Sequence, residues 1–405
     1  MQLTRRVFLK GSALAMAGVG SAPVWLARAA VNGTAKRRKV LVVIFQRGAV
    51  DGLNVLIPHG DAHYYALRPG IGIPREKVLD LDGMFGLHPS LSTLKSVYDA
   101  GHLAVIDAAG SPDPTRSHFD AQDYMESGTP GVKSTAEGWL NRALPRETEP
   151  AAVRAVAMGA NLPRSLRGRN DAIAIGNLSE FQLRDPKMGA TFESLYASAD
   201  PALASASRET FEAMRILQSL QKQPYVPTGS VPYPAGRFGQ SLRQIAQMIK
   251  ANIGLEVAFA DIGGWDTHVN EVGASAETGQ LANLLNEFGS ALGAFYSDLG
   301  DRMADTVVVT MSEFGRTAKE NGNRGTDHGH ANLMFAMGGS IKGGRICGSW
   351  PGLAPEQLYQ GRDLAVTTDF RSVLSEVVAA HVGVRDVATV FPGFNPAPVG
   401  LMAAG

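Results

Sequence analysis

"VLVVIF", residues 40 to 45, decides the fold: six apolar residues stand in a row, four of them β-branched, and the run closes on Gln46, Arg47 and Gly48. A run that does not alternate reads as a strand covered on both faces, as strands of mainly parallel sheets are. Comparable runs follow at "HLAVIDAAG" (102–110), "VRAVAMGA" (153–160), "LEVAFADIGG" (255–264), "DTVVVTMSEFG" (305–315) and "NLMFAMGG" (332–339). Helical patterns lie between several of them, at 93–101, 237–254 and 279–300. The last carries Leu281, Leu284, Leu285, Phe288, Leu292 and Phe295 on one stripe. Strand, helix, strand in that order predicts the crossover units of an α/β fold. The stretch 199–235, helical and then Pro-rich in "KQPYVPTGSVPYPAG", reads as an insertion, and nothing in the remainder calls for a second domain.

The N-terminus, "TRRVFLKG" followed by a Gly- and Pro-interrupted apolar stretch and "ARAA", predicts a twin-arginine export signal over residues 1–29, with cleavage after Ala29. The stretch is too short and too interrupted for a spanning helix, which needs roughly 20 apolar residues. The expected destination is periplasmic or secreted, with the twin-arginine export machinery as a partner and no transmembrane span. Cys347 is the single cysteine, so no intrachain disulfide can form and the core must carry stability. The leader holds four basic residues and no acid, which leaves 34 of the 38 basic residues beside 38 acidic ones. A near-neutral chain argues against nucleic acid as a partner.

Four clusters of acids and histidines stand beside the ends of expected strands, where the working crevice of an open parallel sheet lies. They are Asp51 in "FQRGAVDGLN", Asp266 and His268 in "DIGGWDTH", Glu313 in "SEFGRT", and Asp327, His328 and His330 in "GTDHGHAN". Carboxylate oxygen and neutral imidazole nitrogen suit a divalent cation, zinc first, with manganese, magnesium or calcium as alternatives. Each cluster also has a plainer reading: Asp51-Gly52 as a turn, Asp266 as the cap of a turn, Glu313 paired with Arg316, the His-rich stretch as a polar loop. In "SPDPTRSHFDAQDYMESG" the prolines delay a helix until about Thr115, so Ser117 stands at a helix start with Arg116 beside it. That Ser117 reads either as a nucleophile near an anion-binding helix end or as an N-cap.

Together "TRSHFDAQDYMESG", "ADIGGWDTHVNE", "TVVVTMSEFGRT", "GTDHGHANLMFAMGG" and "TTDFRSVLSEVVAAHVG" resemble the alkaline phosphatase and sulfatase-like superfamily, through a bacterial family of unknown function that carries twin-arginine leaders. The resemblance implies one three-layer α/β sandwich over residues 30–405, with a mainly parallel sheet and helices on both faces. It implies Ser117 as nucleophile and Arg116 as holder of the substrate's charged oxygens. It further implies Asp266, His268, Glu313 and His328 or His330 as ligands of one or two metal ions, and a phosphate or sulfate ester, small or on a cell-surface polymer, as substrate. The chain departs from the superfamily pattern at Phe314, which follows Glu313 where a histidine ligand usually stands, and at Asp266 and His268, which only Thr267 separates. These departures keep a second reading open, a non-catalytic binding or assembly protein on the same fold.

Overall fold

The computed structural model describes residues 37–145, 151–178, 201–222, 224–275 and 277–403. The expected leader, and residues 199, 200 and 223 of the expected insertion, lie outside these. The strands of the main sheet are β1 (Val40–Gln46), β2 (Leu103–Gly110), β3 (Ala155–Met158), β4 (Ile173–Ile175), β5 (Val257–Ile262), β6 (Thr306–Ser312), β7 (Asn332–Gly338), β8 (Arg345–Cys347) and β9 (Thr368–Asp369). Their order is β8-β2-β7-β6-β1-β5-β3-β4, with β9 also on β2. Every residue of β1 is buried, as its unbroken apolar run predicts. It lies between β5 and β6 in parallel register, Gln46 level with both Ile262 and Ser312.

The helices are α1 (Ser92–Asp99), α2 (His118–Ser127), α3 (Pro201–Lys222), α4 (Arg237–Lys250), α5 (Gln280–Leu299) and α6 (Phe370–Val377). Val40, Val42 and Ile44 face one core with Leu94 of α1, Leu242 of α4 and Phe288 of α5. Leu41, Val43 and Phe45 face the other, with Met125 of α2 and Phe370 and Leu374 of α6. Two apolar cores on the two faces of one sheet make the three-layer α/β sandwich, each buried large side chain contributing about 1.5–3 kcal/mol.

One strand runs against the rest. β7 pairs antiparallel with both β6 and β2. Its amino end therefore lies at the same sheet edge as the carboxyl ends of β1, β5 and β6. That reversal carries residues 325–332, which precede and enter β7, to the crevice rather than to the opposite edge of the sheet.

The region expected as an insertion contains α3 followed by a non-helical segment. That segment is fastened to the buried Asp298 by Thr228 N at 2.9 Å and the Tyr233 hydroxyl at 2.9 Å, with Lys250 Nζ at 2.8 Å beside them. His381, which sequence position alone places as a partner of a helix C-terminus, is buried with Nε2 3.0 Å from the carbonyl of Val40.

Candidate functional site

Residues 111–117 leave β2 as an irregular segment, and α2 begins at His118 with Ser117 as its N-cap in extended conformation. The Ser117 hydroxyl accepts from Asp120 N at 3.5 Å, a long cap contact, and the residue is exposed. α2 ends where Gly128 turns left-handed at φ 69°. His118, the first helical residue, directs its ring inward to the crevice.

Four ligand-type atoms meet there. His118 Nε2 lies 3.1 Å from His328 Nε2 and 3.4 Å from Asp266 Oδ1. His268 Nε2 lies 3.0 Å from His328 Nε2 and 3.0 Å from Asp266 Oδ1, and His328 Nε2 is 3.2 Å from the same oxygen. The outer nitrogens settle what these atoms are. Nδ1 of His118 lies 2.8 Å from Glu313 Oε1, Nδ1 of His268 lies 3.0 Å from Asp327 Oδ1, and Nδ1 of His328 lies 2.9 Å from the carbonyl of Arg116. Those oxygens accept, so each Nδ1 donates, and in the neutral form of each ring a bare Nε2 faces inward. With the rings neutral, three nitrogen lone pairs and a carboxylate oxygen face one another, an arrangement a cation stabilises. The ligand atoms of His118, Asp266 and His328 all lie within 4.8 Å of one another, so these residues fit a metal ion.

Proton affinity follows the same geometry. The hydrogen bond to Glu313 outweighs burial and raises the pKa of His118, while burial lowers that of His328. Burial opposes ionisation of Asp266, but the Arg316 guanidinium holds its carboxyl below the usual range. Arg316 is itself buried, donating from Nη2 to Asp266 Oδ1 at 2.7 Å and from Nε to the carbonyl of Ala49 at 2.7 Å, with Nη1 3.5 Å from His268 Nε2. A fixed positive charge thus already occupies the His268 side of the cluster. The opposite side holds His118, Asp266 and His328, the group that could hold a metal ion.

Glu313 does not join the inner atoms. Its Oε1 accepts from His118, from Gln122 Nε2 at 2.8 Å and from Gly48 N at 2.8 Å, and these bonds overcome burial to lower its pKa. Gly48 adopts φ +116°, and a Cβ there would stand 2.7 Å from the backbone nitrogen of Asp266, so only glycine lets this turn close over the acid. Phe314 is buried, with its ring centroid 4.9 Å from that of His118 and 5.1 Å from that of His328. It packs the imidazoles in place and supplies no ligand.

Other sequence expectations are placed differently. Asp51, expected as a ligand, is fully buried with its two oxygens on Arg68 Nη1 and Nη2, at 2.5 and 2.9 Å; the guanidinium takes the carboxylate. His330 stacks on Tyr359 with centroids 4.3 Å apart, away from the three rings. Arg116, expected to grip a substrate's oxygens, gives Nη2 and Nε to the buried Asp363 at 2.6 and 3.1 Å and Nη2 to Gln360 at 2.9 Å. Asp327 orients His268 from outside the cluster. The sequence patterns mark neither His118 nor Arg316 as a site residue; the one signal for His118 is its position beside Ser117 at a helix start.

Beneath the cluster lies Glu271, fully buried, whose Oε2 accepts from Thr326 Oγ1 at 2.8 Å and Thr267 Oγ1 at 3.1 Å. It thereby ties the segment carrying Asp266 and His268 to the segment carrying Asp327 and His328. Its Oε1 has no hydrogen-bond partner, and burial together with the Asp51 charge lifts its pKa well above the ordinary range.

A family model described as a protein of unknown function, DUF1501, matches residues 38–391. The chain belongs to this family. No curated relative matches it. Among solved structures, the DUF1501 chain is similar to the PsFucS1 sulfatase from Pseudoalteromonas sp., at 12% identity and TM-score 0.42, over 95% of this chain and 76% of that one. It is also similar to the C-terminal periplasmic domain of EcEptC from Escherichia coli in complex with Zn, at 9% identity and TM-score 0.35, over 76% and 74%. A third is the lipoteichoic acid synthase LtaP from Listeria monocytogenes, at 11% identity and TM-score 0.31, over 76% of this chain and 66% of that one. Among the described residues of the DUF1501 chain, no helix is long and apolar enough to cross a membrane.

Proposed function

We propose that this protein is an exported hydrolase of phosphate or sulfate esters that works with one divalent cation held by His118, Asp266 and His328. The observation that carries the reading is the convergence of three imidazole Nε2 atoms on Asp266 Oδ1. Imidazole nitrogen and carboxylate oxygen favour zinc among the common divalent ions. When bound, the cation would supply Lewis-acid polarisation of an ester oxygen. The chain's own groups do the rest. Glu313, Asp327 and the Arg116 carbonyl fix the three ring tautomers, and Arg316 balances the charge of Asp266. Ser117, exposed and only loosely capped one residue from His118, is assigned as nucleophile. Attack by its Oγ expels the alcohol and leaves a seryl ester that water cleaves.

Elemental mass spectrometry on protein purified without chelator should find about one metal ion per chain, lost in His328→Ala and Asp266→Ala. Ser117→Ala should keep the metal and lose at least about 10³-fold in ester turnover. Full turnover in Ser117→Ala would remove the seryl step and leave water as nucleophile. The second reading, a binding protein, draws support from Phe314 in place of a ligand and from Arg116 being engaged by Asp363. Bound metal with no hydrolysis across phosphate and sulfate esters would favour it. Export is tested by fusing residues 1–35 to a folded reporter and asking whether Arg5→Lys, Arg6→Lys stops its translocation.

A further inference from the structure

On the other side of α2 from the imidazoles, a cavity of about 460 Å³ opens at the carboxyl ends of β3 and β5. No part of the reading above uses it. Its walls hold four arginines and three acids, and three of the arginines are paired with the acids. Asp261 takes Arg47 at 2.8 Å and Arg237 at 2.5 Å, Glu126 takes Arg47 at 3.0 Å, and Asp123 takes Arg164 at 2.8 Å. Arg167 donates to the carbonyl of Leu162 at 3.2 Å. An anion taking Arg47, Arg164 or Arg237 would displace carboxylates from their partners. A neutral ligand would not: a guanidinium has five N–H donors and a carboxylate about four acceptor positions, so each pair leaves donors and acceptors side by side.

At the rim stands Phe119, 90% exposed, the most exposed large apolar side chain among the described residues. An aromatic ring held out in water next to paired polar groups suits a ligand with one apolar C–H face and an edge of hydroxyls that both donate and accept. We propose that the cavity is a subsite for a neutral saccharide unit, stacked on Phe119 and hydrogen-bonded by Asp261 and its two arginines.

The subsite adjoins the cluster through one side chain. Gln122 lines the cavity, accepts from Arg47 Nη1 at 2.9 Å and donates to Glu313 Oε1 at 2.8 Å. A saccharide seated there would sit one residue from the group that orients His118. The proposal stands whether or not the cluster turns esters over.

The test is saturation-transfer NMR and calorimetry on the full chain, with methyl glucoside, galactoside and N-acetylglucosaminide as glycoside probes and inorganic phosphate and sulfate as anion probes. At least one glycoside should bind, with saturation strongest on the protons of one ring face. Phe119→Ala should weaken it about tenfold, and its exposure means that the fold is not at stake. Asp261→Asn should weaken the glycoside by a similar factor and, by releasing Arg47 and Arg237, create anion binding absent from the wild type. His328→Ala should leave glycoside binding unchanged, so that failure of the metal reading and failure of this one are told apart. The proposal is overturned if no glycoside binds at millimolar concentration, if Phe119→Ala and Asp261→Asn both bind as the wild type does, or if the wild type binds phosphate or sulfate here and Arg237→Ala abolishes it.

Discussion

Arg68→Met should destabilise the protein by about 3–5 kcal/mol, the largest loss expected from any single change near the cluster. The guanidinium and the Asp51 carboxylate are both fully buried. Arg68 also donates to the carbonyls of Ala318 at 2.9 Å and Thr317 at 2.9 Å, which follow directly on Arg316. Its removal leaves the Asp51 charge in the interior without its ion-pair partner, and takes the Arg68 donors from two backbone carbonyls. Burial alone would raise the pKa of Asp51, but Arg68 holds it below the usual carboxylate range. The pair's stability is therefore present above the unfolded carboxylate pKa and is lost as pH falls through the lower folded one. The double change Asp51→Leu, Arg68→Met should recover most of the loss, because a well-packed apolar pair can replace a buried ion pair at little cost.

Denaturation midpoints of the single and double variants check this, with metal content measured alongside. A loss below about 1 kcal/mol for Arg68→Met would show that Asp51 does not depend on its ion pair. Should Asp51→Asn lose metal while keeping wild-type stability, the carboxylate would return to the list of ligands. The expected result is the reverse: stability falls, and any loss of metal follows from Glu271 and the two segments it ties together.

The strands could be read from the sequence because burial on both faces leaves an unbroken apolar run, and all six quoted runs contain main-sheet strands. The small strands Ile173–Ile175 and Arg345–Cys347 are two of those that gave no such signal; at three residues each they are too short for a period. The direction of β7 was not legible either. Hydropathy is the same whichever way a strand runs, and only the connection across residues 313–331 sets its sense.

At the site, sequence proximity misled in two ways. Asp51 looks like a turn acid beside Gly52, and its partner Arg68 lies seventeen residues on, beyond any local rule. Arg316 looks like a partner for Glu313 by helical spacing, but the segment after β6 is not helical and the guanidinium reaches Asp266 instead. His118 stands next to Ser117, and nothing in the spacing says that the first helical residue turns its ring to Glu313 and His328.

Asp107→Asn should raise stability by up to about 4 kcal/mol above neutral pH and by progressively less toward pH 4. Asp107 sits in β2, buried, with Oδ1 accepting from Ala108 N at 2.7 Å and Oδ2 without a partner. Burial pushes its pKa up to about 7 from an ordinary 3.8. Between those values the folded state keeps a proton that the unfolded chain releases, so stability falls as pH rises and the full cost applies above about 7. His381 works in the opposite sense. Burial lowers its pKa to about 4 from 6.5, so between these values the unfolded chain holds a proton that the folded state excludes. Its contribution is complete above the unfolded value and is lost as pH falls through that window, by about 3 kcal/mol in all. In the wild type the two slopes largely offset each other from about pH 4 to 6.5. The Asp107→Asn variant removes one of them. Its urea midpoint should therefore climb with pH across that window, relative to the wild type, until the difference levels off near neutrality. A difference that stays constant from pH 4.5 to 8 would show that Asp107 ionises in the folded protein as it does in the unfolded chain, and that its partnerless oxygen is solvated.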